Sequence, residues 1–174
     1  MKKTGLMVGI ALMIVLLSVV SLSSQKQIVI TAGTMRCVWT TDNFVLQWRH
    51  SVERQLWQEH YSVHDNVFLL SKVYVQSFGA GVPTSGQSIP APHGFVGMKS
   101  DVKMPAIHWT VSRRMQGEIM TVQSLQQPSQ QPFKIYRHVD DYTVVNIQLE
   151  QHARAYWWWQ RMIHHVHDCQ DLKS

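Results

Sequence analysis

Apolar and polar side chains alternate with a period of two in the middle of this sequence, and the alternation restricts the folds open to it. Phe44, Leu46 and Trp48 fall on one face of an extended segment, whereas Gln47 and Arg49 fall on the other. A period of two is typical of β-strands with one buried face. Further strand candidates, separated by Gly, Asp and Asn turn residues, are QIVIT, NVFLLSKVYVQSF, GFVGM, AIHWTVSR, GEIMTV, FKIY and YTVVNIQL. The sequence therefore predicts an all-β fold, a single antiparallel sandwich or partly open barrel of short strands.

The composition is that of one globular domain with an ordinary core. Of the 174 residues, 45% are apolar and 16% are charged, and the formal net charge is +5. The lysines and arginines are scattered, and no recognition-helix pattern, RNP-like aromatic motif or zinc-finger spacing accompanies them. We therefore expect weak attraction to anionic surfaces and no nucleic-acid partner.

The first residues have the pattern of an export signal. MKK is followed by an uncharged run from Thr4 to Val20 and then by the polar SLSSQKQ, with Ser21-Leu22-Ser23 as a small-x-small cleavage site. The apolar run is also close to the roughly 20 residues that cross a bilayer. We expect residues 1–24 to be a signal peptide or a membrane anchor, with the anchor preferred. The remainder would face the periplasm from the inner membrane, or would be periplasmic if the leader is cleaved.

Residues 25–150 are predicted to form the β-domain, and residues 151–174 a Trp- and His-rich C-terminal extension. Three consecutive Trp residues cannot all face a core from one strand, because neighbouring side chains point to opposite faces. We expect a last strand or short helix here, followed by a loosely held tail. The tail's HHVHDC stretch has ligands that suit zinc, copper or nickel, His164, His167 and Asp168, but it lacks four fixed ligands, so we expect neither a metal site nor a cofactor.

Two cysteines, Cys37 and Cys169, leave two alternatives open. In an oxidising compartment they could form one disulfide that joins the two ends of the domain. They could equally remain two free thiols.

The stretch His50-Ser51-Val52-Glu53 brings three reactive residue types together. A nucleophilic serine needs a histidine base within hydrogen-bonding distance and a carboxylate that orients the histidine. Neighbours on a strand diverge, however, and no G-x-S-x-G elbow occurs in the sequence. The preferred interpretation is a hairpin turn in which Ser51 or Glu53 bonds exposed backbone.

The stretch SFGAGVP, Ser77 to Pro83, follows a predicted strand. Gly79 and Gly81 permit a close approach of the backbone and could form an anion-binding nest. Neither a P-loop lysine nor a dinucleotide fingerprint accompanies them. The alternatives are a tight exit into a long loop and a small binding cleft where this loop meets the His50–Glu53 turn.

Together, F-x-L-x-W-x-H-S-V-E (44–53), Trp57, Glu59 and SFGAGVP make the chain resemble a bacterial family, the domain of unknown function eighteen-fifty. The resemblance is close from Phe44 to Pro83 and looser to about Leu149. It implies a small extracytoplasmic β-domain found beside, or fused to, the membrane subunits of TAXI-type TRAP transporters. The family has no established activity, so no catalytic residue is carried over. The marker positions, which are candidates for binding or docking, are His50, Ser51, Glu53, Ser77, Phe78, Gly79, Gly81 and Pro83.

The leading hypothesis is therefore a non-enzymatic accessory domain of TRAP-type solute uptake, with a permease subunit or a solute-binding protein as its partner. One alternative is a periplasmic protein that binds a small ligand or a metal on its own. A second is a small hydrolase that uses His50, Ser51 and Glu53.

Overall fold

The computed structural model describes residues 2–77, 86–122, 131–163, 166–169 and 171–172. The described residues form two α-helices, eleven strands and a 3₁₀ helix at Ile135–Arg137. In chain order the helices and strands are α1 (Lys2–Leu22), β1 (Ser24–Ala32), β2 (Met35–Trp39), β3 (Asn43–Arg49), β4 (Leu56–His64), β5 (Val67–Val75), β6 (Ser88–Ile89), β7 (Val96–Met104), β8 (Ala106–Thr110), β9 (Glu118–Met120), β10 (Val144–Ala153), α2 (Arg154–Ile163) and β11 (His167–Asp168).

The strands of the described residues form two sheets. The five-stranded sheet has the order β11-β2-β1-β10-β8, and the six-stranded sheet has the order β6-β7-β5-β4-β3-β9. Most neighbours are antiparallel and joined by short hairpins, such as β3–β4 and β4–β5. The short β11 instead pairs parallel to β2. The predicted all-β sandwich is confirmed, with this one parallel pair added to an otherwise antiparallel design.

The chain divides into two compact units. One consists of Met1–Gln27 with Glu150–Val166, and the other of Ile28–Leu149 with His167–Ser174. The second unit contains the main core, in which side chains of both sheets pack together. The fully buried members of that core include Ile30, Phe44, Phe68, Ile119 and Ile147, each at most 1% exposed. Burial of such side chains is the main favourable term in folding.

The first unit is built from α1, α2 and the strand ends beside them. The backbone N–H of Arg154 donates to the Ser23 carbonyl (3.0 Å), and the Trp157 indole donates to the Gln25 carbonyl (3.0 Å). Trp157 is buried, whereas Trp158 is 65% exposed. The helix thus buries one tryptophan and exposes the next, in agreement with the expectation that the three consecutive tryptophans do not all face a core. In the part of the chain that the structure describes, no helix combines the length and the apolar character needed to cross a bilayer.

A disulfide joins Cys37 on β2 to Cys169, which directly follows β11 (S–S 2.03 Å). Both residues are fully buried in the main core. The Cys169 backbone N–H also donates to the Val38 carbonyl (2.9 Å). The bond and the parallel pairing of β11 hold this segment on the five-stranded sheet, so the prediction of a loosely held tail is wrong for residues 167–169.

The FKIY segment is not a strand. Phe133 forms a single isolated bridge with Ile119, and the chain then enters the 3₁₀ helix at Ile135–Arg137. Phe133 and Ile135 are both buried, at 3% and 0% exposure. Adjacent side chains alternate between opposite faces in a strand but not in a 3₁₀ turn, and a run of four residues is too short to show which pattern applies.

Candidate functional site

The His50–Glu53 stretch is the turn of the β3–β4 hairpin. The His50 N–H donates to the Gln55 carbonyl (2.8 Å), and the Arg54 N–H donates to the His50 carbonyl (3.0 Å). Arg54 has a positive φ of 61°, which turns the chain back into β4. Ser51 and Val52 are exposed at the tip, and Val52 is 79% exposed. The structure thus has the hairpin turn that the sequence predicted for this stretch.

His50 stabilises the turn with both its ring nitrogen and its ring face. Its Nδ1 accepts the Glu53 backbone N–H at 3.4 Å, a long hydrogen bond, and its ring stacks on Trp57 with centroids 5.4 Å apart. A neutral imidazole whose Nδ1 accepts carries its proton on Nε2. His50 in this tautomer presents no acceptor nitrogen to Ser51, so the arrangement does not favour a serine–histidine nucleophile.

Ser77 lies beside the same turn. The antiparallel register pairs Trp57 with Val75, which brings the end of β5 next to the start of β4. The Ser77 hydroxyl donates to Gln55 Oε1, and Gln76 Oε1 accepts the Leu56 backbone N–H (2.9 Å). We call residues 50–55 with Gln76 and Ser77 the hairpin end.

The hairpin end thus brings together four of the residues singled out in the sequence, His50, Ser51, Glu53 and Ser77, at one end of the six-stranded sheet. The other four, Phe78, Gly79, Gly81 and Pro83, lie outside the described residues. In the C-terminal HHVHDC stretch, His164 also lies outside them, and the described residues contain no group of three or more metal-ligating side chains.

A second site lies between the two sheets of the main core, in a cavity of about 710 Å³. Its walls come from β3, β4, the last residue of β7, β8 and the segment that follows β8. The described lining residues are Leu46, Trp48, Glu59, Tyr61, Met104, Ala106, Ile107, His108, Trp109, Thr110, Ser112, Met115 and Gly117. We call this space the Glu59 cavity, because Glu59 is the one carboxyl among the described lining residues.

Glu59 is held in place by a hydrogen bond from its strand neighbour. The Tyr61 hydroxyl donates to Glu59 Oε2 at 2.6 Å. Burial raises the pKa of Glu59, and the Tyr61 bond opposes that change only in part. Burial, the Glu59 charge and the shared hydrogen bond together raise the pKa of Tyr61, which stays protonated and remains a donor.

Two further lining residues, His108 and Trp109, are held in place by contacts with neighbouring residues. His108 Nδ1 lies 2.5 Å from Asn146 Oδ1 across the β8–β10 pair, so a neutral His108 donates its Nδ1–H there. The Trp109 indole packs over Gly117, where a methyl group would lie only 3.3 Å from Nε1. A glycine at this position leaves room for the ring to form the wall.

A row of hydrogen-bonded polar side chains lies on the outer face of the six-stranded sheet, opposite to the face that carries Glu59. Gln58 Nε2 donates to Gln47 Oε1 and Gln47 Nε2 donates to Glu118 Oε1, both at 2.7 Å. Beside it, burial and then the Lys72 charge lower the pKa of His60 to about 4. This side chain is therefore neutral near pH 7, and its ring packs edge-on against Tyr74 at 5.0 Å. Gln58, Gln47 and Glu118 are thus joined by hydrogen bonds on this face of the sheet and do not line the Glu59 cavity.

Residues 44–126 match a family model described as a domain of unknown function, DUF1850. Over this range the chain resembles the DUF1850 family. The resemblance expected from the HSVE and SFGAG markers is thereby confirmed. Neither the curated proteins nor the solved structures include a significant match to the chain.

The DUF1850 range contains the hairpin end and every described residue that lines the Glu59 cavity, but not β1, β2 or β10. The cavity was not predicted from the sequence, although one signal for it was present. Glu59 falls in the same alternating register as Trp57 and Tyr61, both of which are buried. An acid on the apolar face of a strand marks a buried carboxyl, and such groups occur often at functional sites.

Proposed function

We propose that this protein is a non-enzymatic extracytoplasmic accessory domain that works with a TAXI-type TRAP transporter. In this proposal the hairpin end docks onto a permease subunit or a solute-binding protein. The observation that carries the proposal is an exposed apolar tip, Val52, on a turn whose base is rigidly held inside the DUF1850 range. The transporter partner itself comes from the resemblance to that family.

The geometry of the hairpin end supports docking. Stacking of His50 on Trp57, the Gln55–Ser77 hydrogen bond and the bond from Leu56 N–H to Gln76 fix the base of the turn. Ser51 and Val52 project from that base into solvent. A preorganised tip loses little conformational entropy when it binds, which favours a specific protein contact.

Two features support export. The basic-then-apolar pattern of residues 1–24 is that of a leader. The Cys37–Cys169 disulfide fits an oxidising compartment, because thiols in the cytosol of most organisms are kept reduced. The mass of the protein isolated from cell envelopes would show whether the leader is retained as an anchor or removed, and an unprocessed, reduced protein in the cytosol would contradict export.

Site-specific photo-cross-linking in intact cells tests the docking proposal. A photoreactive amino acid at Val52 is expected to capture a TRAP permease or solute-binding subunit, identified by mass spectrometry of the linked product. The matched control places the same group at Tyr142, which is 81% exposed and lies in the turn before β10. Equal exposure of the two positions makes a difference in capture specific to the hairpin end.

The two outcomes are distinct. Capture of a TRAP subunit from position 52 and not from 142 supports the proposal. Failure to capture any TRAP subunit from either position, in cells that contain the transporter, would overturn it.

A second function is favoured by the Glu59 cavity alone: binding of a small ligand by the isolated domain. Its volume of about 710 Å³ falls within the roughly 300–1,000 Å³ of ordinary ligand pockets. This function does not need a transporter partner. Thermal-shift measurements with organic ligands would detect it.

A further inference from the structure

The six-stranded sheet carries one row of side chains that is apolar except at its centre. Across β9, β3, β4, β5 and β7 the paired residues on the inner face are Ile119, Leu46, Glu59, Val73 and Met98. The four apolar members are 0–4% exposed. A carboxyl in this row costs free energy that Leu or Val would not, because its charged form loses water. Its position therefore calls for a role other than packing.

Aromatic and sulfur-containing side chains line the cavity around Glu59. Trp48, Tyr61 and Trp109 supply aromatic rings, and Met104 and Met115 supply polarisable thioethers. Aromatic faces attract cations through the negative charge of the ring quadrupole. Three aromatic rings and one carboxylate lining the same cavity are a set of groups suited to a positive charge.

The described lining of the cavity contains one carboxyl, Glu59, and no lysine or arginine. No side chain of these two permanently cationic types therefore lies in the wall to neutralise the Glu59 carboxylate. The remaining titratable lining groups are Tyr61, which stays a neutral donor to Glu59, and His108, which is bonded to Asn146. A bound cation would supply a countercharge beside the partly buried Glu59 carboxylate, where the attraction between opposite charges is stronger than in bulk water.

We propose that the Glu59 cavity binds an organic cation, an alkyl- or arylammonium whose charged nitrogen lies between the Glu59 carboxylate and the aromatic walls. Apolar substituents on the nitrogen would fill the remaining space against Leu46, Ile107 and the two methionines. The inference rests on the small-ligand binding proposed above for this cavity and names its ligand class, and it does not depend on the proposed transport function, which concerns the hairpin end.

The test is isothermal titration calorimetry on the purified full chain, kept in a nonionic detergent that has no ammonium headgroup. The probes are choline, benzyltrimethylammonium and dimethylbutanol, the uncharged carbon isostere of choline. Choline is expected to bind at least about 10-fold more tightly than its isostere, a difference of about 1.4 kcal/mol. Benzyltrimethylammonium is expected to bind more tightly than choline, because its ring buries additional apolar area.

Two variants locate the binding. Glu59→Gln is expected to lower the affinity for both cations by about 10-fold or more and to leave the isostere unaffected. The matched control is Glu118→Gln, which changes an acid on the opposite face of the same sheet, outside the cavity lining, and is expected to leave all affinities unchanged. Trp109→Leu keeps the carboxyl and removes one ring, and should lower the ratio of choline to isostere affinity.

The pH dependence separates a cation site from a neutral one. The charge of choline does not change with pH, so its affinity should fall as the pH is lowered through the ionisation of Glu59 and should be flat in Glu59→Gln. Equal binding of choline and dimethylbutanol, unchanged cation binding in folded Glu59→Gln, or no binding of either cation at millimolar concentration would each overturn the proposal. None of these results bears on cross-linking from position 52.

Discussion

The hairpin end and the Glu59 cavity contrast in where their reactive groups lie along the chain. His50, Ser51 and Glu53 are neighbours in sequence, but the structure places Ser51 in solvent and directs His50 Nδ1 to the backbone. Glu59, Trp48 and Trp109 come from three different strands, β4, β3 and β8, and line one cavity. Burial at that cavity raises the pKa of Glu59. Convergence of side chains in a desolvated space is therefore the better guide to a binding site.

The largest expected effect concerns the cavity wall. Tyr61→Ala removes a ring that is 4% exposed and stacks on Phe44 with centroids 5.2 Å apart, so it should lower the free energy of unfolding by about 3–5 kcal/mol. Urea denaturation followed by tryptophan fluorescence measures this. Tyr61→Phe keeps the stacked ring and removes only the bond to Glu59, and should cost about 1–2 kcal/mol. Equal losses in the two variants would show that the ring contributes little.

At the hairpin end a smaller effect is expected for His50→Ala. This change removes the stacking on Trp57 and the acceptor for the Glu53 N–H, with an expected cost of about 1–2 kcal/mol. His50→Asn restores an acceptor but not the ring, and should recover part of the loss. If His50→Ala left stability unchanged in the same denaturation experiment, the hairpin end would not be the rigid base that docking requires.

A still smaller effect, on the pH dependence of stability, is expected for Glu59. Burial raises the pKa of Glu59 above its unfolded value, so the folded protein retains this proton more tightly. The contribution of Glu59 to stability is therefore greatest below the usual carboxyl range and is lost as the pH rises through the raised pKa. Relative to the wild type, Glu59→Gln should become increasingly stabilising over that interval, as measured by thermal denaturation from about pH 4 to about pH 8. A difference that does not vary with pH would mean that Glu59 is not desolvated.

The smallest effects are expected at the tip of the hairpin end. Ser51→Ala and Val52→Thr change exposed side chains and should alter the free energy of unfolding by less than about 0.5 kcal/mol. Val52→Thr should nevertheless reduce the recovery of the transporter subunit in a pull-down, because it removes the apolar contact of the tip. A loss of stability as large as that of Tyr61→Ala would erase the distinction between the two regions.

The sequence predicted the parts of the fold that depend on local pattern. Alternation in β3 and β4, and the β-branched and aromatic residues of β5, identified three neighbouring strands, and the position of His50–Glu53 between two of them identified the turn. The FKIY segment was assigned wrongly because four residues do not distinguish a strand from a 3₁₀ turn. The pairing of Cys37 with Cys169 stayed open, since it depends on β11 returning to β2 after more than a hundred residues.

The candidate site was predicted only in part, and for a related reason. The contact of Ser77 with Gln55 follows from the register of β4 and β5, which the sequence does not specify to the residue. The Glu59 cavity needs β8 of the other sheet to lie opposite β3 and β4, and no local pattern reports that arrangement. Glu59, an acid in the same alternating register as buried apolar residues, was the one sequence signal for the cavity.

The disulfide described above closes most of the β-domain into a covalent ring, because its two cysteines lie 132 positions apart in the sequence. If the domain is exported as proposed, Cys169 reaches the oxidising side of the membrane only after the residues between it and Cys37 have been translocated, so the ring would not close before that point. Once it has closed, one cut by a protease in any loop of the ring leaves both pieces tied together. A nicked protein would therefore migrate as a single species until it is reduced.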